Sequence, residues 1–351
     1  MSRHLNYVRI EDVLYNEGCF IDLRSESEYA DDHIPGALNI PLLVDAHRHE
    51  VGILHKFEGP EIAKMQGFRM FLGRFEIFMK AIREAYETHG CLYLYCWRGG
   101  SRSEYVLDML LNMGFVHIYK VLGGYKKYRN YLLSELPKLC VQKQAIVLHG
   151  FTGAGKTDLL QLLKNAGYPI LCLESLAQNS GSVFGNVFFR DPPPSQKYFE
   201  SMLFDELTQL KTKTFFVESE SRRVGTVSVP EVVMASIQSG IHVLVSTDIE
   251  IRIGNLYRNY VACGGSESFI RQALDKLRKR LGHNEVDMLL AYLEQGEFLE
   301  IIRVLLIDYY DPLYKYSIDQ YTYDAVVDYQ TYDEAILQLK TIQENAERTY
   351  S

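Results

Sequence analysis

What the chain lacks narrows its class first. No apolar run approaches the roughly 20 residues that cross a bilayer, so no membrane partner is expected. The opening residues, Met1-Ser2-Arg3-His4-Leu5-Asn6-Tyr7, hold none of the apolar stretch of a signal peptide. Six cysteines (Cys19, Cys91, Cys96, Cys140, Cys172 and Cys263) form no CxxC pair, so neither a disulfide framework nor a zinc site is indicated. A reducing, cytoplasmic location fits that pattern. Internal repeats and low-complexity tracts are also missing. Positive charge is in short supply: a net charge of −8 argues against indiscriminate nucleic-acid binding, although it leaves room for a local basic face. What remains is a globular composition, 47% hydrophobic and 23% charged over 351 residues. At ~100–200 residues per domain, that length makes two or three domains.

One stretch stands out in the first third. Leu92-Tyr93-Leu94-Tyr95 reads as a buried strand, and Glu104 to Leu111 has helical apolar spacing. Between them lies Cys96-Trp97-Arg98-Gly99-Gly100-Ser101-Arg102-Ser103. A cysteine at a strand end, followed by a glycine loop into a helix N-terminus, meets backbone N–H groups and a helix dipole that favour an anion. Arg98 and Arg102 add two cations. Cysteines more often simply pack; the arginines and glycines here favour a nucleophilic thiolate. Phe20 to Arg24 reads as a further strand, and Ser25-Glu26-Ser27-Glu28 has the form of a capping box. The tract from Asp45 to Met79 holds no obvious strand and reads as a surface helical hairpin near the Cys96 loop. Its histidines, His47, His49 and His55, are too irregularly spaced to indicate a metal site by themselves.

A second stretch follows a boundary expected near Leu136-Pro137-Lys138, after a helix over Tyr125 to Leu133. The strand Ala145 to His149 runs into Gly150-Phe151-Thr152-Gly153-Ala154-Gly155-Lys156-Thr157, which is G-x-x-x-x-G-K-T in its required strand-to-helix context. Gly150, Thr152, Gly153 and Gly155 let backbone N–H groups wrap a diphosphate. Lys156 reaches its outer oxygens, and Thr157 is placed to ligate Mg²⁺. Such a loop reads phosphates and not the group attached to them. An acidic partner is expected at a nearby strand end, where Glu218, Glu220, Ser221 and Arg222 fall within five residues. Ile249 to Arg252, after the strand His242 to Asp248, is a weaker candidate for the same region. Arg271, Lys276, Arg278, Lys279 and Arg280 share one helical segment and form the best local cationic face, with Lys126, Lys127 and Arg129 as a possible extension. Tyr309, Tyr310, Tyr314 and Tyr316 are more often core residues than base-stacking ones.

The first 135 or so residues resemble the rhodanese family, through the Cys96 loop, Phe20 to Glu28, and His33-Ile34-Pro35-Gly36-Ala37-Leu38-Asn39-Ile40-Pro41. That domain followed directly by a phosphate loop resembles the tRNA 2-selenouridine synthase family over nearly the whole chain. Further matching stretches are Leu173 to Ala177, Gly181 to Gly185, Val217 to Arg222, Leu277 to Gly282 and Tyr309 to Tyr314. The chain departs from the family where Cys172, Ser175, Asn179 and Ser180 stand at usual Asp, Gly, His and Arg positions. The resemblance implies an α/β protein: a rhodanese-like parallel-sheet domain over 1–137, then a P-loop NTPase-like α/β domain over 138–351 with a helical C-terminal part. It implies a transferase acting at the anticodon region of tRNA, with geranyl diphosphate and selenophosphate as co-substrates. In that reading Cys96 carries selenium, Lys156 and Thr157 serve the diphosphate and its Mg²⁺, and Glu218 or Glu220 acts as ligand or base. A P-loop kinase or NTPase with a rhodanese regulator, or a sulfurtransferase or sulfur carrier, remains the alternative.

Overall fold

The computed structural model describes residues 6–179, 192–262 and 267–350. Ser180, the stretch 181–185 and Cys263 lie outside the described residues. Two compact units make up the chain: Met1–Pro137 with Pro194–Asp205, and Lys138–Pro193 with Glu206–Ser351.

The first unit runs β1 (Tyr7–Val8), α1 (Ile10–Val13), β2 (Cys19–Asp22), α2 (Glu26–Asp31), β3 (Leu38–Asn39), α3 (Asp45–Phe57), α4 (Pro60–Leu72), α5 (Phe75–His89), β4 (Leu92–Tyr95), α6 (Ser101–Asn112), β5 (Ile118–Val121) and α7 (Gly124–Gln142). Its strands are all parallel, in the order β1-β5-β4-β2-β3. Every residue of β2 and β4 is buried, as in strands covered on both faces. Ser25 and Glu28 close the capping box that starts α2. The tract from Asp45 is helical, α3 packing on α4. In the core, Ile21, Leu23, Ile82, Leu92, Leu94, Val106 and Leu110 interlock.

One boundary differs from expectation. The helix expected to stop near Leu133 continues through Pro137 to Gln142, so the two units divide inside α7. Proline removes one backbone donor, while Leu132 and Leu136 stay buried on the inner face of the helix. Past the proline, Lys138 to Gln142 are half-buried or exposed.

In the second unit the elements are β6 (Gln144–His149), α8 (Lys156–Asn165), β7 (Ile170–Leu171), α9 (Leu173–Ala177), the end of α10 (Gln196–Gln209), β8 (Thr214–Glu218), β9 (Arg223–Val224), β10 (Val227–Ser228), α11 (Glu231–Gln238), β11 (Ile241–Ser246) and α12 (Ile249–Tyr257). After a π-helical turn at Arg258–Ala262 come α13 (Glu267–Leu281), α14 (His283–Glu294), α15 (Phe298–Val304), a second π-helical turn at Leu305–Tyr310, α16 (Asp311–Asp319), β12 (Ala325–Asp328) and α17 (Tyr332–Tyr350). Its main sheet is again parallel throughout, ordered β12-β11-β6-β8-β7. A separate helical core joins α13, α14 and α15 through Leu274, Leu277, Leu289 and Ile301. Both units are therefore α/β with parallel sheets, and the C-terminal part is helical. No helix among the described residues is long and apolar enough to cross a membrane.

Candidate functional site

Two loops hold equivalent places in their sheets. Each leaves the carboxyl end of a central parallel strand, β4 or β6, and enters a helix N-terminus. The chain leaves β2 toward one edge of its sheet and β4 toward the other, and likewise β6 toward one edge and β8 toward the other. Open α/β sheets bind ligands at such switch points.

Cys96 lies at the foot of the first loop, 3% exposed and packed with the core. That is deeper than a surface nucleophile, so a reacting atom must enter the loop to meet it. Its Sγ stands 3.3 Å from the Oγ of the buried Ser103. Ser103 is the side chain that reading by motif passed over; its place on the first turn of α6 was the available signal. Among the described residues, the N–H groups of Arg98, Gly99, Gly100, Ser101 and Arg102 meet no acceptor, which leaves them available to an anion. Arg98 is exposed. Arg102 is held at 3.6 Å by Glu28, which Arg48 also reaches at 3.0 Å.

The underside of this loop is rigid. Tyr125 and Lys126 donate their backbone N–H groups to the carbonyls of Cys96 and Trp97, both at 2.9 Å. A Cβ at Gly124, whose φ is +56°, would lie 2.1 Å from the Cys96 carbonyl oxygen, so only glycine fits there. The Tyr125 ring packs on Trp97 at 5.1 Å, and the buried Arg24 guanidinium lies 4.0 Å over that ring while gripping Asp22.

The second loop carries the phosphate-binding residues. Its carbonyls are tied down from behind: Arg252 Nε donates to Thr152, Asn255 Nδ2 to Gly153 (both 2.9 Å), and Tyr329 O–H to Ala154 at 3.2 Å. Arg252 in turn forks onto Asp311, with bonds of 2.9 and 2.5 Å. Gly155, at φ +69°, presses on Tyr329 and Tyr332 so closely that a Cβ would meet the Tyr329 hydroxyl at 2.6 Å. Lys156 Nζ donates to the Gly150 carbonyl at 2.9 Å and stands 3.6 Å from Glu218. Thr157 Oγ1 donates to Glu218 at 3.0 Å. This hydroxyl and carboxylate are hard oxygen donors of the kind that hold Mg²⁺ beside phosphates. Among the described residues no three His, Cys, Asp or Glu side chains gather into a metal cluster, so such an ion would also draw on phosphate oxygens and water.

Glu220 adjoins Glu218 and Glu174; burial first, then those two carboxylates, push its pKa up to about 8. Burial, His242 and Lys156 push His149, just before the loop, down to about 4, and its Nε2 lies 2.8 Å from His242 Nδ1. The other two residues of the acidic stretch turn elsewhere: Ser221 donates to the Arg223 carbonyl, and Arg222 is exposed at the start of the β9–β10 hairpin. Glu250 pairs with Arg303, which holds its carboxyl below the usual range.

On α13 much of the positive charge is already matched. Arg271 meets Glu267 and Glu294, Arg278 meets Asp275 and Asp287, and Arg280 donates to the Tyr309 hydroxyl. Lys276 and Lys279 are exposed. Tyr309 and Tyr310 are buried in the helical core, whereas Tyr316 is exposed. Lys127 pairs with Glu11, and Arg129 turns to Asp32 and Glu200.

Comparison with known proteins adds the family. A model described as the tRNA 2-selenouridine synthase AAA domain matches residues 143–346, and one described as a rhodanese-like domain matches residues 9–131. A tRNA 2-selenouridine synthase of Hahella chejuensis is 33% identical over 330 residues, 86% of this chain and 85% of the relative. One from Sulfurovum sp. is 33% identical over 339 residues, 88% and 91% of the two chains. A third, from Bdellovibrio bacteriovorus, is 29% identical over 341 residues, 86% and 89%.

Proposed function

The chain belongs to the tRNA 2-selenouridine synthase family, and from that premise we propose that it replaces the 2-thio sulfur of a wobble uridine in tRNA by selenium. Geranyl diphosphate and selenophosphate are the co-substrates. The two loops divide the work.

At the phosphate loop, backbone N–H groups and Lys156 hold the diphosphate of geranyl diphosphate. The 2-thio sulfur attacks the carbon that bears it. A C–S bond forms, the C–O bond breaks, and diphosphate leaves with the electron pair onto the loop N–H groups and Lys156. Thr157 and Glu218 would hold Mg²⁺, which supplies further neutralisation of the leaving oxygens when bound. Glu220, in its ionised form, would take the proton that uracil N3 gives up on alkylation, burial and the carboxylates of Glu218 and Glu174 raising its affinity for it.

At the other loop, selenophosphate is held beside the Cys96 thiol, with Arg98, Arg102 and the open N–H groups balancing its charge. Water attacks phosphorus, and the P–Se bond breaks with its pair to selenium. The selenide left beside Cys96 adds at C2 as the C2–S bond breaks and geranylthiolate leaves with that pair. Overall, selenophosphate and water are consumed, and phosphate and geranylthiol are released, with no net oxidation. Lys276 and Lys279 would meet phosphates of the anticodon arm.

The observation that carries this reading is the pairing, in one chain of this family, of a cysteine loop with unsatisfied N–H groups and a phosphate loop whose Thr157 touches Glu218. Incubation with 2-thiouridine tRNA, geranyl diphosphate and selenophosphate, followed by nucleoside mass analysis, tests it. Cys96→Ala should stop selenation and spare geranylation, while Lys156→Ala should block geranylation. Loss of the same single step in both variants would defeat the division of labour. ATP hydrolysis without geranyl diphosphate binding would instead indicate a nucleotide-driven enzyme.

A further inference from the structure

Residues 1–137 do not complete the unit that carries Cys96, because Pro194–Asp205 belongs to it as well. Phe199, Leu203 and Phe204 of α10 are 0–2% exposed, and Phe204 meets Tyr131 edge-on at 6.1 Å. Tyr198 stacks on His33 at 4.1 Å, and His33 stacks on Tyr29 at 3.7 Å. Lys197 pairs with Asp31 at 2.6 Å, and Glu200 pairs with Arg129.

One contact of this segment leads onward to the cysteine loop. Ser201, fully buried, donates its hydroxyl to Asp32 Oδ1 at 2.8 Å. The other oxygen of Asp32, also 0% exposed, accepts the Tyr125 hydroxyl at 2.6 Å. Tyr125 then supports the loop twice, through its backbone N–H on the Cys96 carbonyl and its ring on Trp97. The cations near Asp32 are Arg129, at 3.8 Å, and Arg24, which donates to its backbone carbonyl at 2.5 Å while bound to Asp22. With neither oxygen open to water, a hydroxyl lost at Ser201 leaves Oδ1 without a donor, and the carboxylate must shift. Tyr125 shifts with it.

We propose that Asp32 and Ser201 are positioning residues for the Cys96 loop, so that a segment encoded after the phosphate loop sets how deeply the cysteine is seated. This holds whichever reaction the loop performs, so its test is separate from that of the proposed function.

The experiment uses the full chain and reads iodoacetamide labelling of each cysteine by peptide mass spectrometry. Cys19, 4% exposed in the same unit, is the internal control. In Ser201→Ala, Cys96 labelling should rise roughly fivefold, the factor given by about 1 kcal/mol of lost hydrogen bonding. Cys19 labelling should not change, and Ser201→Thr should restore the wild-type rate at Cys96. If Ser201→Ala does not fold, Asp32→Asn, which preserves volume and an acceptor for Ser201, is judged by the same ratio. A Cys96 rate within about twofold of wild type, or a parallel rise at Cys19, overturns the proposal.

Discussion

Removing the Asp311 carboxylate tests whether the phosphate loop is held rigid from behind. Arg252 places one nitrogen on the Thr152 carbonyl and two on Asp311, and its side chain is 9% exposed. Breaking one partner of a buried pair typically costs about 3–5 kcal/mol. Asp311 is 28% exposed and water can partly replace it, so about 2 kcal/mol is the reasoned figure here. Should roughly 1.4 kcal/mol of that fall on the loop, the Kd for diphosphate rises about tenfold. Titration calorimetry with inorganic diphosphate and Mg²⁺ measures it, beside the Tm of the free protein. Arg252→Met combined with Asp311→Leu supplies the contrast: an uncharged pair should regain most of the stability but not the affinity. If Asp311→Ala lowers Tm and leaves diphosphate affinity unchanged, Asp311 serves the fold alone and the reasoning fails.

Two further outcomes follow from the geometry. Gly124→Ala should cost at least about 2 kcal/mol and dislodge the cysteine loop, because its Cβ would strike the Cys96 carbonyl from a strained φ; an unchanged Tm and unchanged Cys96 labelling would contradict this. Glu220, raised from 4.5 to about 8, binds its proton more tightly folded than unfolded. Its contribution to stability is therefore full below about pH 4.5 and is lost as pH rises toward 8. Urea midpoints should place Glu220→Gln level with wild type near pH 5 and above it near pH 8, and the opposite order would refute the assignment.

Both loops were legible because each is contiguous. Cys96 to Arg102 and Gly150 to Thr157 carry their glycines, cations and nucleophile within eight residues, next to strands with clear apolar runs. Their supports were not legible. Arg252 and Asp311 lie 59 positions apart, and Ser201 and Asp32 lie 169 apart, so no local spacing betrays them. The end of α7 was not legible for another reason: from Leu133 to Gln142 only Leu136 is buried, so no apolar pattern marks the last turns of the helix. Counting the cations of α13 overstated its positive charge, since the acidic partners of Arg271 and Arg278 include Glu294 and Asp287 on the following helix.

The shared ownership of α10 has a bearing on biosynthesis. A nascent chain halted at Pro137 has every strand of its first sheet but neither Ser201, which donates to Asp32, nor Phe204, which meets Tyr131. Those contacts must wait while β6, α8 and β7 leave the ribosome. Domain-by-domain maturation, usual for multidomain chains, gives way here to an interleaved order in which the first unit receives its last segment after the second has begun to emerge.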